Sequence, residues 1–410
     1  TVALTTNGNG AATIVNDAGL NLAASTVGGA LSATATTGNI TDSGALAITG
    51  TTTLVTSAND ATITLDTTTN AFTGAVTITT NDSSGTDADV TIDGGTTALI
   101  IAASTIDGDL TLTSGNSSGI TDSGTVTVGG NLSATTDANT GVITLNQMAV
   151  DGSFTLAPNS TGAVTIVNDA GLNLAASTMG GTFSGTATTG DITDSGNLAI
   201  TGAATFITGV DGSNIVLDSS GNAFSNSVEL RADAGGEDFG NITFVDSAGI
   251  DFATSAGSNG DLYINSSTDG TVGGNLSVTA TTGNITDTVA VVTTGSSTSS
   301  FTTSATNGTI DLRTPASLAG AVTINTTGAS GNATIDNGTT ALIIAASSIG
   351  GNLTVTSGAA AGITDTGTVT VGGNLVATTD AGNGVINLDT AAVTGTVALT
   401  TNGSGNATVD

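Results

Sequence analysis

The sequence predicts an all-β protein built as a parallel β-solenoid, in which coils of about 22 residues stack on one another. Short runs alternate Val, Ile or Leu with Thr, as in residues 61–65, 75–79 and 109–113. Turns rich in Gly, Asn and Asp separate these runs. An apolar residue also returns after a recurrent turn every 22 or 23 residues, in three series: Leu31, Leu54 and Val76; Leu110, Leu132 and Phe154; and Leu353, Leu375 and Val397.

The alternating runs are predicted to be strands and the segments between them tight turns. Period-two alternation is typical of a half-buried strand, and Thr favours strands while tolerating water on its outward face. Gly, Asn and Asp supply the positive φ angles and side-chain caps that such turns need. Helices are not expected, because Gly and β-branched residues interrupt every stretch long enough to form one.

Each coil is predicted to contain three short strands and three turns, and to bury its apolar row only against neighbouring coils. Crossover chirality favours a right-handed solenoid. The recurring Leu residues are expected to point inward and to stack in one column. Longer intervals, such as the 34 residues from Val76 to Leu110, are interpreted as loop insertions that leave the period intact.

Internal repeats organise the chain on a longer scale. Residues 13–50 return at 165–202, a shift of 152, with 32 of 38 positions identical. Residues 90–146 return at 333–389, a shift of 243, with 42 of 57 positions identical. The opening Thr-Val-Ala-Leu-Thr-Thr-Asn-Gly returns at 396–403, a shift of 395, which equals 152 + 243. We therefore expect residues 1–410 to be one continuous solenoid segment, a window of a longer repetitive chain, with an irregular excursion around 224–270.

Composition excludes several functional classes. The chain has no His and no Cys, so it lacks the ligands of ordinary zinc, haem and iron–sulfur sites. Two basic residues against 33 acidic ones give a net charge of −31, which argues against binding to nucleic acid or an anionic membrane. No apolar run approaches the roughly 18–20 residues of a membrane span, so membrane insertion is not expected.

The strand repeats resemble those of giant bacterial surface proteins and are similar in style to the rods of filamentous-haemagglutinin-type adhesins. The resemblance is carried by residues 29–44, 124–132 and 274–288, which read GALSATATTGNITDSG, GTVTVGGNL and GNLSVTATTGNITDT. It extends over essentially the whole chain, but its motifs specify a solenoid more than a function. It implies a secreted, cell-surface or extracellular fibre, for which adhesion is one role to be expected.

Recurrent acidic corners are the first candidate site. The motif Ile-Thr-Asp followed by Ser-Gly or Thr-Gly places a carboxylate at equivalent turns. A ladder of such groups could bind Ca²⁺ between coils, since hard oxygen ligands suit that ion. The alternative is that each Asp caps backbone N–H groups within its turn. The four residues are Asp42, Asp122, Asp194 and Asp365.

The excursion is the second candidate site. Five of the ten aromatic residues and both Glu residues lie between 224 and 263. One interpretation is a surface that contacts a glycan, a protein or a neighbouring fibre; the other is a satellite core that packs the excursion itself. Its candidate Ca²⁺ ligands are Glu229, Asp233, Glu237 and Asp238, and its candidate ligand contacts are Phe239, Phe244, Phe252 and Tyr263.

Together these observations predict a structural segment of a long extracellular or cell-surface fibre, acidic, self-associating along or between fibres, and without enzymatic activity. No cofactor other than Ca²⁺ is expected. The leading alternative is a dedicated adhesin that binds surface glycans or proteins through residues 224–263. A third reading is a polysaccharide-degrading enzyme, because two carboxyl groups suffice for glycoside cleavage.

Overall fold

The computed structural model describes residues 1–81, 87–232, 240–253, 261–264 and 271–410. The chain forms two compact units: unit 1 comprises Thr1–Thr189 and Asp194–Gly202, and unit 2 comprises Gly190–Thr193 and Ala203–Asp410. The described residues form strands and turns, as predicted, with no helix among them. Among the described residues there is accordingly no helix that is long and apolar enough to cross a membrane.

Within the described ranges, the first 23 strands belong to unit 1, the next strand crosses the division between the units, and the strand after it belongs to unit 1 again. The strands of unit 1 are β1 (Ala12–Asn16), β2 (Leu20–Leu22), β3 (Ser25–Val27), β4 (Leu31–Ala35), β5 (Ile40–Asp42), β6 (Leu46–Ile48), β7 (Thr52–Asn59), β8 (Ile63–Leu65), β9 (Ala71–Phe72), β10 (Val76–Asn81), β11 (Val90–Asp93), β12 (Leu99–Ile101), β13 (Ser104–Ile106), β14 (Leu110–Ser114), β15 (Ile120–Asp122), β16 (Val126–Val128), β17 (Leu132–Thr136), β18 (Ile143–Val150), β19 (Ser153–Ala157), β20 (Val164–Asn168), β21 (Leu172–Leu174), β22 (Ser177–Met179) and β23 (Phe183–Ala187). The next two are β24 (Ile192–Asp194) and β25 (Leu198–Ile200).

The remaining strands belong to unit 2. They are β26 (Ala204–Thr208), β27 (Ile215–Leu217), β28 (Ala223–Phe224), β29 (Val228–Arg231), β30 (Ile242–Asp246), β31 (Ile250–Phe252), β32 (Asp261–Ile264), β33 (Thr271–Val272), β34 (Leu276–Ala280), β35 (Ile285–Asp287), β36 (Val292–Thr293), β37 (Ser299–Thr306), β38 (Ile310–Leu312), β39 (Ala321–Thr327), β40 (Ala333–Asp336), β41 (Leu342–Ile344), β42 (Ser347–Ile349), β43 (Leu353–Ser357), β44 (Ile363–Asp365), β45 (Val369–Val371), β46 (Leu375–Thr379), β47 (Ile386–Leu388), β48 (Ala391–Val393), β49 (Val397–Thr400) and β50 (Ala407–Val409).

Each unit is a parallel β-solenoid, because its strands pair in parallel with counterparts in the coils before and after. In unit 1, sheet I contains β1, β4, β7 and β10, and sheet II contains β2, β5, β8, β11, β14, β17 and β19. In unit 2, sheet III contains β38, β40, β43, β46 and β49, and sheet IV contains β27, β30, β34, β37 and β39. Alternate residues of these strands face the interior, which forms the core.

The inward orientation of the recurring Leu residues is confirmed. Leu110, Leu132 and Phe154 are paired across β14, β17 and β19, and all three side chains are buried. Leu353 and Leu375 are likewise paired and buried. The stacked apolar column that the sequence predicts therefore exists within each of these groups of coils.

The prediction that all the recurring Leu residues stack in one column is wrong, because their strands pair in a different register. Leu31 pairs with Thr52, whereas Leu54 pairs with Ala33 and Ile78. Strand β7 starts two residues before Leu54, and a shift of two residues keeps a side chain on the same face of a strand. Leu31 and Leu54 are therefore both inward, but they occupy neighbouring columns.

The interpretation that the 34-residue interval leaves the period intact is also wrong, and residues 82–86 of the interval lie outside the described residues. It contains β11, which pairs with β14, so that Val90 lies beside Leu110 in sheet II. The neighbour of Val76 is instead Ile101, at the end of β12. The interval thus adds a strand, and the recurring apolar residue moves from sheet I to sheet II.

The same move takes place in unit 2. Leu276 pairs with Ser299, and Ser299 pairs in turn with Val322, so the three residues form one row in sheet IV. After 31 further residues Leu353 begins a series in sheet III, where Leu375 and Val397 follow. In this unit, as in unit 1, about three successive coils place the recurring residue in one sheet, and the next three place it in the other.

Replacement of Leu132 by Asp tests the stacked core. The Leu132 side chain is fully buried between Leu110 and Phe154, so Leu132→Asp would bury an unpaired carboxylate. We expect it to lower the free energy of unfolding by about 3–5 kcal/mol, measured by urea denaturation. The matched control is Ser133→Asp, on the outward face of the same strand, with an expected change below about 1 kcal/mol. Equal losses in the two variants would contradict the assigned facing of β17.

Candidate functional site

The recurrent acidic corners lie at the ends of short strands. Asp42, Asp122, Asp194 and Asp365 are the last residues of β5, β15, β24 and β44, and all are half-buried. A fifth corner, Asp287 at the end of β35, has the same Ile-Thr-Asp sequence but was not counted among the candidates. The strands before them position these residues, because each buried Ile two residues earlier fixes the strand in the core.

Glycine precedes two of these corners for a steric reason. Gly119 has a φ of 61° and Gly362 a φ of 66°. A Cβ atom at Gly119 would overlap the carbonyl oxygen of Val142, and one at Gly362 would overlap that of Val385, each in the following coil. The close approach of the coils therefore requires glycine before these two corners.

Three of the four carboxylates, those of Asp42, Asp122 and Asp365, accept hydrogen bonds from residues of the following coil. Asp42 Oδ2 accepts a hydrogen bond from Asn70 Nδ2 at 2.7 Å, and Asp122 Oδ2 accepts one from the backbone N–H of Gln147 at 2.6 Å. Asp365 Oδ2 accepts from the N–H and the hydroxyl of Thr390 at 3.0 and 2.8 Å. The capping alternative placed these N–H groups within the turn of the same Asp, whereas the structure places them in the next coil, about 25 residues along the chain.

The structure does not bring these carboxylates together as a ladder. In the preceding coil, Asp42 lies beside Leu22, Asp122 beside Ile101 and Asp365 beside Ile344. Within the described ranges there is no group of three acidic residues placed to hold a metal ion. Calcium binding by Asp42, Asp122, Asp194 and Asp365 stays a prediction.

The described part of the excursion is divided between core and surface. Phe244 packs against Phe224 with ring centroids 5.1 Å apart, and Phe252 meets Phe301 edge-on at 6.0 Å. Phe244 and Phe252 are 1% and 4% exposed, so in this structure they belong to the core rather than to a surface that contacts a ligand. Large side chains therefore fill the interior of the solenoid at this point.

Two other candidates of the excursion face outward side by side. Glu229 and Tyr263 are paired neighbours on β29 and β32. The Glu229 carboxylate accepts a hydrogen bond from the Arg231 guanidinium at 3.0 Å, and both side chains are partly exposed. The candidates Asp233, Glu237, Asp238 and Phe239 lie outside the described residues.

A polar groove on unit 2 was not found from the sequence. Asp311, Arg313 and Thr334 line it, together with the amide side chains of Asn332 and Asn352. Arg313 Nε donates to Asp311 Oδ1 at 2.6 Å, and the Arg313 side chain is largely exposed. A guanidinium, a carboxylate, amides and hydroxyls on one concave face can hydrogen-bond a polyhydroxylated ligand.

A buried carboxylate, Asp246, is the second feature that was missed. It ends β30 and is 2% exposed. Its Oδ1 accepts hydrogen bonds from the backbone N–H groups of Phe224 and Ala248, at 3.2 and 3.3 Å. Burial raises the pKa of Asp246, and the hydrogen bonds oppose this only in part.

An asparagine occupies the equivalent place at the end of β20 in unit 1. Asn168 Oδ1 accepts from the N–H of Val150 at 2.9 Å, as Asp246 accepts from Phe224. Asn168 Nδ2 also donates to the carbonyls of Val150 and Gly171, at 3.0 and 2.7 Å. An ionised carboxylate can accept but not donate, so the amide fits this corner better than the carboxylate does.

Asp246→Asn tests the cost of this buried charge. Because the folded-state pKa of Asp246 is raised above the unfolded value, the folded chain binds the proton more tightly. That contribution to stability is complete below the unfolded pKa and is lost as pH rises through the folded pKa. At pH 7 we expect Asp246→Asn to raise the free energy of unfolding by about 1–3 kcal/mol, with a smaller gain at pH 4.

The control is Asp380→Asn, which removes an exposed carboxylate from the same unit. We expect little change in the free energy of unfolding at either pH. A gain for Asp246→Asn that is equal at pH 4 and pH 7 would contradict the assignment of the effect to an ionised buried carboxyl group.

Comparison with known proteins gives one match. The family described as repeats of unknown function (DUF5649) matches residues 9–79, 87–157, 161–231 and 330–401. No curated protein and no solved structure is significantly similar to the chain. Each matched segment opens with one of the strands β1, β11, β20 or β40 and covers about three coils. The matched segments make up more than half of the sequence, and the chain belongs to this family of repeats.

Proposed function

We propose that the chain is a structural segment of a long extracellular or cell-surface fibre. The observation that carries the proposal is that successive coils supply each other's strand partners and core contacts. Val90, Leu110, Leu132 and Phe154, for example, are stacked from coil to coil. A protein stabilised in this way can be lengthened by adding repeats without redesigning the existing core.

The roles of the polar side chains support a structural function. The corner carboxylates Asp122 and Asp365 cap the next coil, and amide side chains at another corner do the same. Asn332 Oδ1 accepts from the N–H of Asn352, whose Oδ1 accepts in turn from the N–H of Asn374. These groups are used to join coils.

The outward faces suit a fibre surrounded by water. In unit 1, Thr64, Thr91, Thr111, Ser133 and Thr155 form one outward row across paired strands. Hydroxyl side chains on such a row are compatible with strand geometry and with solvation. The net charge of −31 opposes non-specific lateral collapse of neighbouring fibres.

A dedicated adhesin is the second candidate function. The burial of Phe244 and Phe252 removes two of its expected contacts from the surface. The groove around Asp311 and Arg313 offers a different polar surface, which suits a glycan. An adhesin of this kind would lose glycan binding on Arg313→Ala, whereas a purely structural segment would have no such dependence.

The cellular location tests the structural proposal. Antibodies against the 410-residue chain, applied to intact cells that express the gene, should label filaments outside the cell in immunogold electron microscopy. Cells from which the gene has been deleted provide the control. Label that appears only after the cells are opened, in the soluble fraction, would contradict an extracellular fibre.

A further inference from the structure

The same outward surface is built once in each unit, and it carries different charges in the two. In unit 2 it is the polar groove lined by Asp311 and Arg313, which encloses about 290 Å³ across β38, β40 and β43. In unit 1 the equivalent strands are β8, β11 and β14, which pair in the same register. In both units an inward residue of the middle strand, Val90 or Ala333, is paired with an Ile before it and a Leu after it.

The amide corners of the groove are carboxylates in unit 1. Asn332 and Asn352 directly precede β40 and β43, and their counterparts before β11 and β14, 243 residues earlier, are Asp89 and Asp109. All four accept a hydrogen bond on Oδ1 from the backbone N–H of the next corner, at 2.6–2.8 Å. A carboxylate therefore joins the coils as well as an amide does. The amide adds an NH₂ donor and removes a negative charge.

The residue after the first strand changes in the same direction. Arg313 follows β38, and its counterpart after β8 is Asp66. In unit 1 the surface thus carries three carboxylates, those of Asp66, Asp89 and Asp109. In the unit 2 groove one guanidinium, of Arg313, faces one carboxylate, of Asp311. These groups sum to three negative charges in unit 1 and to zero in unit 2, where one positive charge balances one negative.

The Arg313 side chain is positioned by two carboxylates. The backbone N–H of Arg313 donates to Oδ1 of Asp287, the acidic corner of the preceding coil, at 3.0 Å. Its Nε donates to Asp311 Oδ1 at 2.6 Å. These contacts leave the four N–H bonds of the two Nη atoms for a ligand, and the side chain is 72% exposed.

We propose that this groove binds an acidic saccharide, which carries a carboxylate beside its hydroxyl groups, as a uronate-containing glycan does. Arg313 pairs with the carboxylate, because guanidinium and carboxylate match in charge and in forked geometry. The NH₂ groups of Asn332 and Asn352 donate to further ligand oxygens, and Asp311 accepts from a ligand hydroxyl. The three carboxylates of the unit 1 surface repel such a ligand.

The comparison between the units favours an acidic ligand over a neutral one. Carboxylates accept hydrogen bonds from sugar hydroxyl groups, so a neutral glycan can be held by the unit 1 surface as well. Only a ligand with negative charge requires that carboxylates be removed and a cation added. This inference rests on the second candidate function, glycan binding by the groove, and it specifies the class of glycan.

Isothermal titration calorimetry with the full 410-residue chain tests the proposal. The salt concentration is 0.15 M, at which charges farther than about 8 Å from the ligand are largely screened. The probe is a galacturonate trisaccharide, and its control is the same trisaccharide with the carboxyl groups reduced to alcohols. We expect the acidic probe to bind with a Kd at least about tenfold lower than that of the neutral one, since reduction removes a charge-assisted pair.

Substitution of the arginine should remove this preference. We expect Arg313→Gln to raise the Kd of the acidic probe at least about tenfold. The matched control is Arg231→Gln, which changes the net charge equally at the other basic residue of the chain, and its Kd should change less than about twofold. Urea denaturation should give the same curve for Arg313→Gln as for the parent chain, because an exposed ion pair contributes little to stability.

Transfer of the groove to unit 1 tests whether these groups suffice. The quadruple variant Thr64→Asp/Asp66→Arg/Asp89→Asn/Asp109→Asn gives the unit 1 surface the polar groups of the unit 2 groove. We expect the number of acidic trisaccharides bound per chain to double. An unchanged number, in a variant whose urea denaturation shows that it is folded, would contradict the assignment of binding to these groups.

The possible outcomes separate this inference from the functions on which it builds. Equal affinity for the acidic and the neutral probe would overturn the acidic ligand and leave glycan binding by the groove standing. Binding of the acidic probe that is unchanged in Arg313→Gln, or no binding of either probe, would overturn the inference together with the groove as a glycan site. Neither result alters the labelling of filaments at the cell surface, so the fibre proposal is tested separately.

Discussion

The pairing of each strand with a strand in the adjacent coil is the interaction on which the rest of this structure depends. It satisfies the backbone hydrogen-bonding groups, and it fixes which side chains meet in the interior. With strands about 4.8 Å apart, an inward residue touches the inward residues one coil before and one coil after it. The Leu110, Leu132 and Phe154 row shows the result, a core that extends from coil to coil. Corner residues such as Asp365 and Asn352 extend the same pairing through their side chains.

The recurring apolar residue changes sheets where two short strands separated by a bend pair with one long, straight strand of the preceding coil. Strands β12 and β13 are separated by a bend, yet both pair with the long strand β10, through Ile101 and Thr105. In unit 2, β41 and β42 pair with β39 in the same way. A bend thus enters a sheet that was straight in the coil before. After the bend, the recurring apolar residue lies in the other sheet. It then stays in that sheet for about three coils, which is the length of one segment matched by the family.

Local features of the fold could be predicted from the sequence because they depend on local chemistry. Alternating Thr and aliphatic residues identified the strands, and Gly, Asn and Asp identified the turns. The register could not be predicted, because it depends on which strand pairs with which. The interval between Val76 and Leu110 can hold a loop or an extra strand, and only the pairing of Val90 with Leu110 decides between them. The column of Leu54 could not be predicted for a similar reason, since a shift of two residues along the strand leaves the alternation of inward and outward residues unchanged.

In the candidate site, too, local motifs could be predicted from the sequence and long-range partners could not. The acidic corners were visible as a motif, but the partners of Asp122 and Asp365 are backbone N–H groups about 25 residues away, which no motif reveals. The burial of Asp246 could have been inferred by aligning its strand with that of Asn168. The clear internal repeat ends before this segment, so the equivalence became evident only from the shared hydrogen bond to the neighbouring strand.

Disulfide formation in unit 1 tests the central claim, that the repeat changes sheets between Val76 and Leu110. Two double variants of the cysteine-free chain are compared after mild oxidation, Thr91→Cys/Thr111→Cys and Thr77→Cys/Thr111→Cys. The structure pairs Thr91 with Thr111 and pairs Thr77 with Thr53. The account predicts an intramolecular disulfide between positions 91 and 111 and none between 77 and 111. A disulfide between 77 and 111 without one between 91 and 111 would show that the period runs on in a single sheet, and would contradict it.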